Sequence, residues 1–166
     1  MAQVKSKGKV IHTVGSLPAV GNTAPDFTLT GSDLKDVALK DFASKKKLLN
    51  IVSSIDTSVC AESARRFDSE SRMLSNTAVI TVSADLPFAM KRFFESAGIN
   101  TVIPLSQFRN PDFGRDYGVE ITDGPRRGLL ARAVIVLDEN NKILYSQLVA
   151  NMDNEPDYGK ALEHAD

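Results

Sequence analysis

Cys60 is the only cysteine of the chain. It stands where an apolar run, Leu48-Leu49-Asn50-Ile51-Val52, passes through a short polar loop into a helical pattern. A thiol on the first turn of a helix faces unpaired backbone N–H groups and the positive end of the helix dipole. Both favour the thiolate, which is the nucleophilic form. The plain alternative is a small buried hydrophobe, the usual state of a free cysteine. The loop argues against that alternative. Asp56, Thr57 and Ser58 are helix-capping residue types, and Thr57, three positions before Cys60, is spaced to aim its hydroxyl at the sulfur. A cysteine that only packs needs no such polar approach. Arg132 heads a second apolar run, 131–137; by itself it reads as half of a surface ion pair worth about 0–1 kcal/mol. His12 and His164 lie far apart with no Cys/His cluster, so both are expected at the surface and no metal site is expected.

The elements that must position Cys60 follow from the hydrophobic periods. Val4 to Val14, around Lys7-Gly8-Lys9, predicts an N-terminal β-hairpin. Leu17 to Pro25 is a turn-rich connection. Short strands are expected near Phe27–Thr30 and Val37–Leu39. Leu48–Val52 and Ala78–Val82 read as strands covered on both faces. Between them, Val59–Leu74 predicts a helix with Val59, Ser63, Phe67 and Leu74 near one face. Ser83-Ala84-Asp85-Leu86-Pro87 offers a cap and an early proline to a second helix, which Gly98 stops. Val102–Leu105 is a strand, Asn110–Gly118 holds a short helix, and Thr122–Gly128 is a loop. Ala131–Leu137 and Lys142–Val149 form a hairpin, and Tyr158–His164 is a last helix. Strands alternating with helices predict an α/β fold with a parallel core, to which the late hairpin adds antiparallel strands. This is the thioredoxin-like pattern, a mixed central sheet flanked by helices. Sites in such sheets form at the carboxyl ends of strands, where chain order puts Cys60.

Length suits one domain, residues 1–166, able to bury a core without covalent staples. A net charge of −1 carries no electrostatic footprint for nucleic acid, and Lys45-Lys46-Lys47 reads as a solvated basic run. One cysteine cannot form an intramolecular disulfide, which removes the framework of small secreted domains. No apolar stretch approaches the roughly 18 residues of a membrane span, and Met1–Lys7 lacks the apolar region of a signal peptide. A reducing, cytoplasmic setting is expected, with no membrane and no nucleic-acid partner.

Ser54-Ile55-Asp56-Thr57-Ser58-Val59-Cys60 closely resembles the active-site loop of the peroxiredoxins, whose pattern is Pro, three residues, Thr, two residues, Cys. Ser83 to Ala89 and Gly128 to Val134 resemble motifs of one subfamily, the thiol peroxidases, and the resemblance runs from about Gly8 to Leu162. It implies that Cys60 is the peroxidatic cysteine, attacking peroxide as thiolate and becoming sulfenic acid. It implies that Thr57 hydrogen-bonds the sulfur and orients the peroxide, and that Arg132 keeps the sulfur ionised and polarises the substrate. No metal or organic cofactor is implied. The substrates would be hydrogen peroxide and alkyl hydroperoxides, the reductant thioredoxin or another outside thiol, and the assembly a homodimer. Leu86, Phe88 and Leu129 are candidates for an apolar pocket wall, with Ser53 beside the sulfur.

Two residues depart from the family pattern. Ser53 stands where it has proline; an N–H, a hydroxyl and a freer φ suggest a wetter or looser pocket, so Ser53→Pro is expected to speed peroxide reduction. Phe94 stands where thiol peroxidases carry their resolving cysteine, so an internal disulfide cannot capture the sulfenic acid. An outside thiol must then recycle the enzyme, and Cys60 should over-oxidise readily. The competing reading is a redox sensor or partner-binding protein with little turnover. A thiol–disulfide oxidoreductase would need a Cys-x-x-Cys pair, which the chain lacks.

Overall fold

The computed structural model describes residues 1–166. The chain opens with the hairpin β1 (Gln3–Ser6) and β2 (Lys9–His12), turned by Lys7 and Gly8, both at positive φ. Seven further strands form one sheet: β3 (Thr28–Thr30), β4 (Asp36–Ala38), β5 (Lys46–Ile51), β6 (Thr77–Ser83), β7 (Val102–Ser106), β8 (Ala133–Leu137) and β9 (Ile143–Leu148). Their order is β4-β3-β7-β6-β5-β8-β9. β5, β6 and β7 are mutually parallel; the remaining pairs are antiparallel. The helices are α1 (Ser58–Ser71), α2 (Pro87–Ala97), α3 (Asp112–Asp116) and α4 (Tyr158–Ala165). None is long and apolar enough to cross a membrane.

The period of two splits each central strand between two cores. Leu49, Ile51, Ile80, Val82, Ala133 and Ile135 face one side, where Phe27, Phe113 and Tyr117 cover them. Leu48, Val52, Val79, Val134 and Val136 face the other, against Cys60, Ala64 and Phe67 of α1, Met90 and Phe94 of α2, and Ala161 of α4. Burial on both faces is why β5, β6 and β8 read as near-continuous apolar runs, interrupted by Asn50 in β5 and Thr81 in β6, rather than alternating ones.

Several local expectations change. The buried face of α1 runs through Cys60, Ser63, Ala64 and Phe67; Val59 sits only half-buried at its margin, and Leu74, also half-buried, lies beyond the end of the helix. The helix runs Ser58–Ser71, starting one residue before its apolar pattern and ending three residues short of it. β8 begins at Ala133, leaving Arg132 in the connection before it. Lys47 is not a solvated residue: it is fully buried, with Nζ donating to Asn141 Oδ1 at 2.7 Å and to the carbonyls of Glu139 and Asp138 at 3.3 and 3.4 Å. The turn between β8 and β9 folds over the start of β5, so the stem lies along the sheet while the ammonium meets carbonyls. Burial lowers its pKa, with the Asp138 and Glu139 carboxylates opposing.

Candidate active site

The carboxyl end of β5 delivers the chain into a loop tied together by Ser54. Its carbonyl accepts from the Thr57 N–H at 3.2 Å and from Thr57 Oγ1 at 3.0 Å, and its Oγ accepts from the Asp56 N–H at 3.1 Å. Thr57 is the N-cap of α1 by backbone conformation, but its side chain makes no capping bond. Its one hydroxyl proton goes to the Ser54 carbonyl, with the Cys60 sulfur as a second acceptor within reach. Cys60 follows as the third residue of α1. The first turn is held to the sheet from below: Ser63 Oγ donates to the Cys60 carbonyl at 2.9 Å and accepts from Asn50 Nδ2 at 3.2 Å.

A second loop clamps the first. The Asp85 carboxylate, between β6 and α2, accepts from Ser54 Oγ at 2.8 Å, the Ile55 N–H at 2.9 Å and Ser83 Oγ at 2.7 Å. Asp85 is therefore not the cap of α2. Leu86 occupies that position without a side-chain bond, and Pro87 fills the first turn, where a missing N–H costs nothing.

Arg132 comes from the connection that leads into the neighbouring strand, β8. β8 pairs antiparallel with β5, Ala133 opposite Ile51, so the residue before β8 lies just past the carboxyl end of β5. By alternation it shares the face of Val134 and Val136, the face that α1 covers. Its Nη1 donates to Cys60 Sγ at 3.0 Å and its Nη2 to the Met152 carbonyl at 2.8 Å, and Nε has no partner within the chain. The side chain is 1% exposed and pairs with no carboxylate. The surface ion pair is thus excluded; the cation is buried against the sulfur.

Cys60 itself is fully buried. Burial pushes its pKa up, but the Arg132 guanidinium, the Thr57 hydroxyl, the Ser54 N–H and the Ser53 hydroxyl pull it down, and the balance lies below the ordinary 9.0. Ser53 is 1% exposed with Oγ 3.6 Å from Sγ, so it does not admit water to the sulfur as its polarity suggested. The structure thus brings Ser53, Thr57, Cys60 and Arg132 around one atom.

The other candidates lie outside that ring. Leu86 and Phe88 are exposed at the start of α2, just beyond Asp85. Leu129 is half-buried against the cluster of Val4, Ile11, Ile121, Ala131 and Met152. Phe94 is buried in the core that also holds Cys60, edge-on to Phe93, whose ring carries the Arg65 guanidinium at 5.4 Å. His12 is half-buried with Nδ1 2.6 Å from Asp123, and exposed His164 stacks on Tyr145. No group of three or more His, Cys, Asp or Glu is placed to hold a metal ion. Asp85, Asn50 and Ser63 escaped the sequence reading as members of the site. In the sequence Asn50 is only a polar break in an apolar strand, and Asp85 is one residue of a stretch that offers a helix cap and of a motif that resembles the thiol peroxidases.

A family model described as Redoxin matches residues 19–162. The chain is 51% identical over 162 residues to a thiol peroxidase of Mycobacterium bovis, covering 98% of this chain and 97% of that protein. Among solved structures it is similar to a peroxiredoxin-like protein from Aquifex aeolicus at TM-score 0.94 and 34% identity, covering 99% of this chain and 96% of that one. It is also similar to a thiol peroxidase from Chromobacterium violaceum at TM-score 0.91 and 26% identity, covering 97% and 93% of the two chains.

Proposed function

Because the chain belongs to the redoxin family, and within it is a peroxiredoxin of the thiol peroxidase type without a resolving cysteine, we propose that it reduces peroxides through a one-cysteine cycle centred on Cys60. Thiol-dependent reduction of peroxide is the activity of the chain; the residue roles and the cycle are our reading. The observation that carries it is Arg132, a buried cation with no carboxylate partner, 3.0 Å from the Cys60 sulfur and the largest of the influences that favour its ionised form.

The Cys60 thiolate attacks one oxygen of the hydroperoxide. The S–O bond forms with the sulfur electron pair, the O–O bond breaks, and the alkoxide or hydroxide leaves to take a proton from water. Sulfur is oxidised by two electrons to sulfenic acid. Arg132, with Nε free, and Thr57, whose hydroxyl turns between Ser54 and the sulfur, are the donors placed to stabilise charge moving onto the leaving oxygen. With no second cysteine in the chain, an outside thiol attacks the sulfenic sulfur, releasing water and forming a mixed disulfide. A second thiol releases Cys60 as thiolate. Thioredoxin or a small thiol fits this role. Exposed Leu86 and Phe88 beside the Asp85 clamp favour alkyl hydroperoxides alongside hydrogen peroxide. We further infer one domain, a homodimer and a cytoplasmic setting, the last supported by a lone, unpaired cysteine.

Full burial of Cys60 and the missing resolver favour a second reading, a slow redox sensor. Rapid mixing of the reduced protein with one equivalent of cumene hydroperoxide, read by intact mass, separates the two. Fast gain of one oxygen at Cys60, reversed by thioredoxin or a small thiol with turnover, is expected. Fast oxidation that no thiol reverses would mean that the chemistry survives with its cycle broken, and no fast oxidation would refute the peroxidase assignment of Cys60 and leave the sensor.

A further inference from the structure

The residue by which the active-site loop departs from the family pattern brings a donor of its own. Ser53 is 1% exposed, and its hydroxyl has one hydrogen-bond partner, the Cys60 sulfur at 3.6 Å. Buried hydroxyls keep a partner, and a thiolate only accepts, so in the ionised site the Ser53 proton points at sulfur. Arg132 reaches the sulfur through Nη1 while Nη2 serves the Met152 carbonyl, and the single Thr57 proton is shared with the Ser54 carbonyl. The Ser53 hydroxyl, unlike that of Thr57, has no competing acceptor. Proline at this position has neither hydroxyl nor N–H.

We propose that Ser53 is a further catalytic residue, whose hydroxyl donates to the Cys60 thiolate and holds it in the form that attacks peroxide. The proposal rests on the peroxidase reading for its catalytic meaning, but the hydrogen bond is testable without it. A hydrogen bond to a charged group changes an equilibrium about tenfold. Ser53→Ala then leaves about tenfold less thiolate at acid pH. The thiolate that remains is the more basic and more nucleophilic, and a Brønsted slope near 0.45 returns about threefold. The two effects give a crossing pH profile: the variant reacts about threefold more slowly than wild type at acid pH and about threefold faster on the alkaline plateau. Loss of packing alone lowers both limbs together. The family residue removes the same donor, so Ser53→Pro follows Ser53→Ala on the acid limb instead of outpacing wild type there.

The experiment titrates the thiolate of the full chain by its ultraviolet absorbance in wild type, Ser53→Ala, Ser53→Pro and Ser53→Thr, then measures the second-order rate constant with hydrogen peroxide across the same pH range. Ser53→Ala and Ser53→Pro are expected to ionise at higher pH, with crossing rate profiles for Ser53→Ala, and Ser53→Thr to restore wild-type behaviour because it keeps the hydroxyl. An unchanged titration in Ser53→Ala, or parallel rate loss on both limbs, overturns the proposal. A wild-type protein that reacts with no peroxide at any pH defeats the peroxidase reading instead, while the titration still decides the hydrogen bond.

Discussion

Replacing Arg132 with methionine removes the charge and keeps an unbranched apolar stem in a site that is 1% exposed. At 3.0 Å and an effective dielectric near 20, a guanidinium and a thiolate attract by about 5.5 kcal/mol. Burial of the sulfur opposes this, as do the remaining donors by sharing the stabilisation, so only part of it is lost with the charge. Half of that figure, about 2.7 kcal/mol, is still a hundredfold. Arg132→Met is therefore expected to hold about a hundredfold less thiolate at pH values where the wild-type sulfur is ionised and a free thiol is not, and, after the roughly eightfold returned by its higher nucleophilicity, to react with hydrogen peroxide at least about tenfold more slowly. The fold should hold, because the variant also removes the cost of burying a cation. The assay is rapid mixing at graded pH, paired with the thiolate absorbance titration. Arg132→Lys, a point charge without the planar fork, is expected between the two. If Arg132→Met titrates where wild type does and reacts within about threefold of it, the argument that this cation ionises Cys60 is wrong.

Asp85→Asn keeps the shape of the clamp but gives up one of the two acceptor oxygens that hold Ser54, Ile55 and Ser83. Looser placement of the Cys60 loop is expected to lower the peroxide rate constant about tenfold or more with an unchanged circular dichroism spectrum; full activity would show that the clamp does not position the loop. Phe94→Ala empties a buried aromatic position in the core shared with Cys60, and urea unfolding is expected to show a loss of about 3–5 kcal/mol, whereas a loss under 1 kcal/mol would mean the site collapses or Phe94 does not pack there. The depressed Cys60 pKa also makes stability depend on pH. Between the folded-state pKa and the unfolded value near 9.0 the unfolded chain binds more protons, so this contribution is full above 9.0 and is lost as pH falls through the folded-state pKa. The stability difference between wild type and Cys60→Ser is expected to widen with rising pH in that window; a flat difference would contradict the depressed thiol.

Asp85 illustrates what was not legible along the chain. Its carboxylate acts on Ser54 and Ile55, some thirty positions earlier, and the contact exists only because β5 and β6 are parallel neighbours whose carboxyl ends open on the same side. Lys47 illustrates the same limit from the other direction: a basic run looks solvated until the turn of a distant hairpin closes over it. Ser53 reverses an inference of sign. As a residue type it argued for water beside the sulfur, and in place it is buried with its hydroxyl 3.6 Å from that sulfur.

Residue order alone determined the α/β architecture, because buried strands and amphipathic helices write their periods directly into the chain. It also placed Cys60 at the strand–helix junction, with Thr57 one turn before it, because those relations are local. It showed through Phe94 that no second cysteine is available to the sulfenic acid. The tertiary structure alone decided what surrounds the sulfur. Arg132 is 72 residues away, and only antiparallel pairing of β5 with β8 brings its guanidinium to Cys60. Whether a cysteine is an inert hydrophobe or a thiolate depends on burial set against charge and hydrogen-bond donors at a few ångströms, and those distances are made by packing between strands and loops that the chain order keeps far apart.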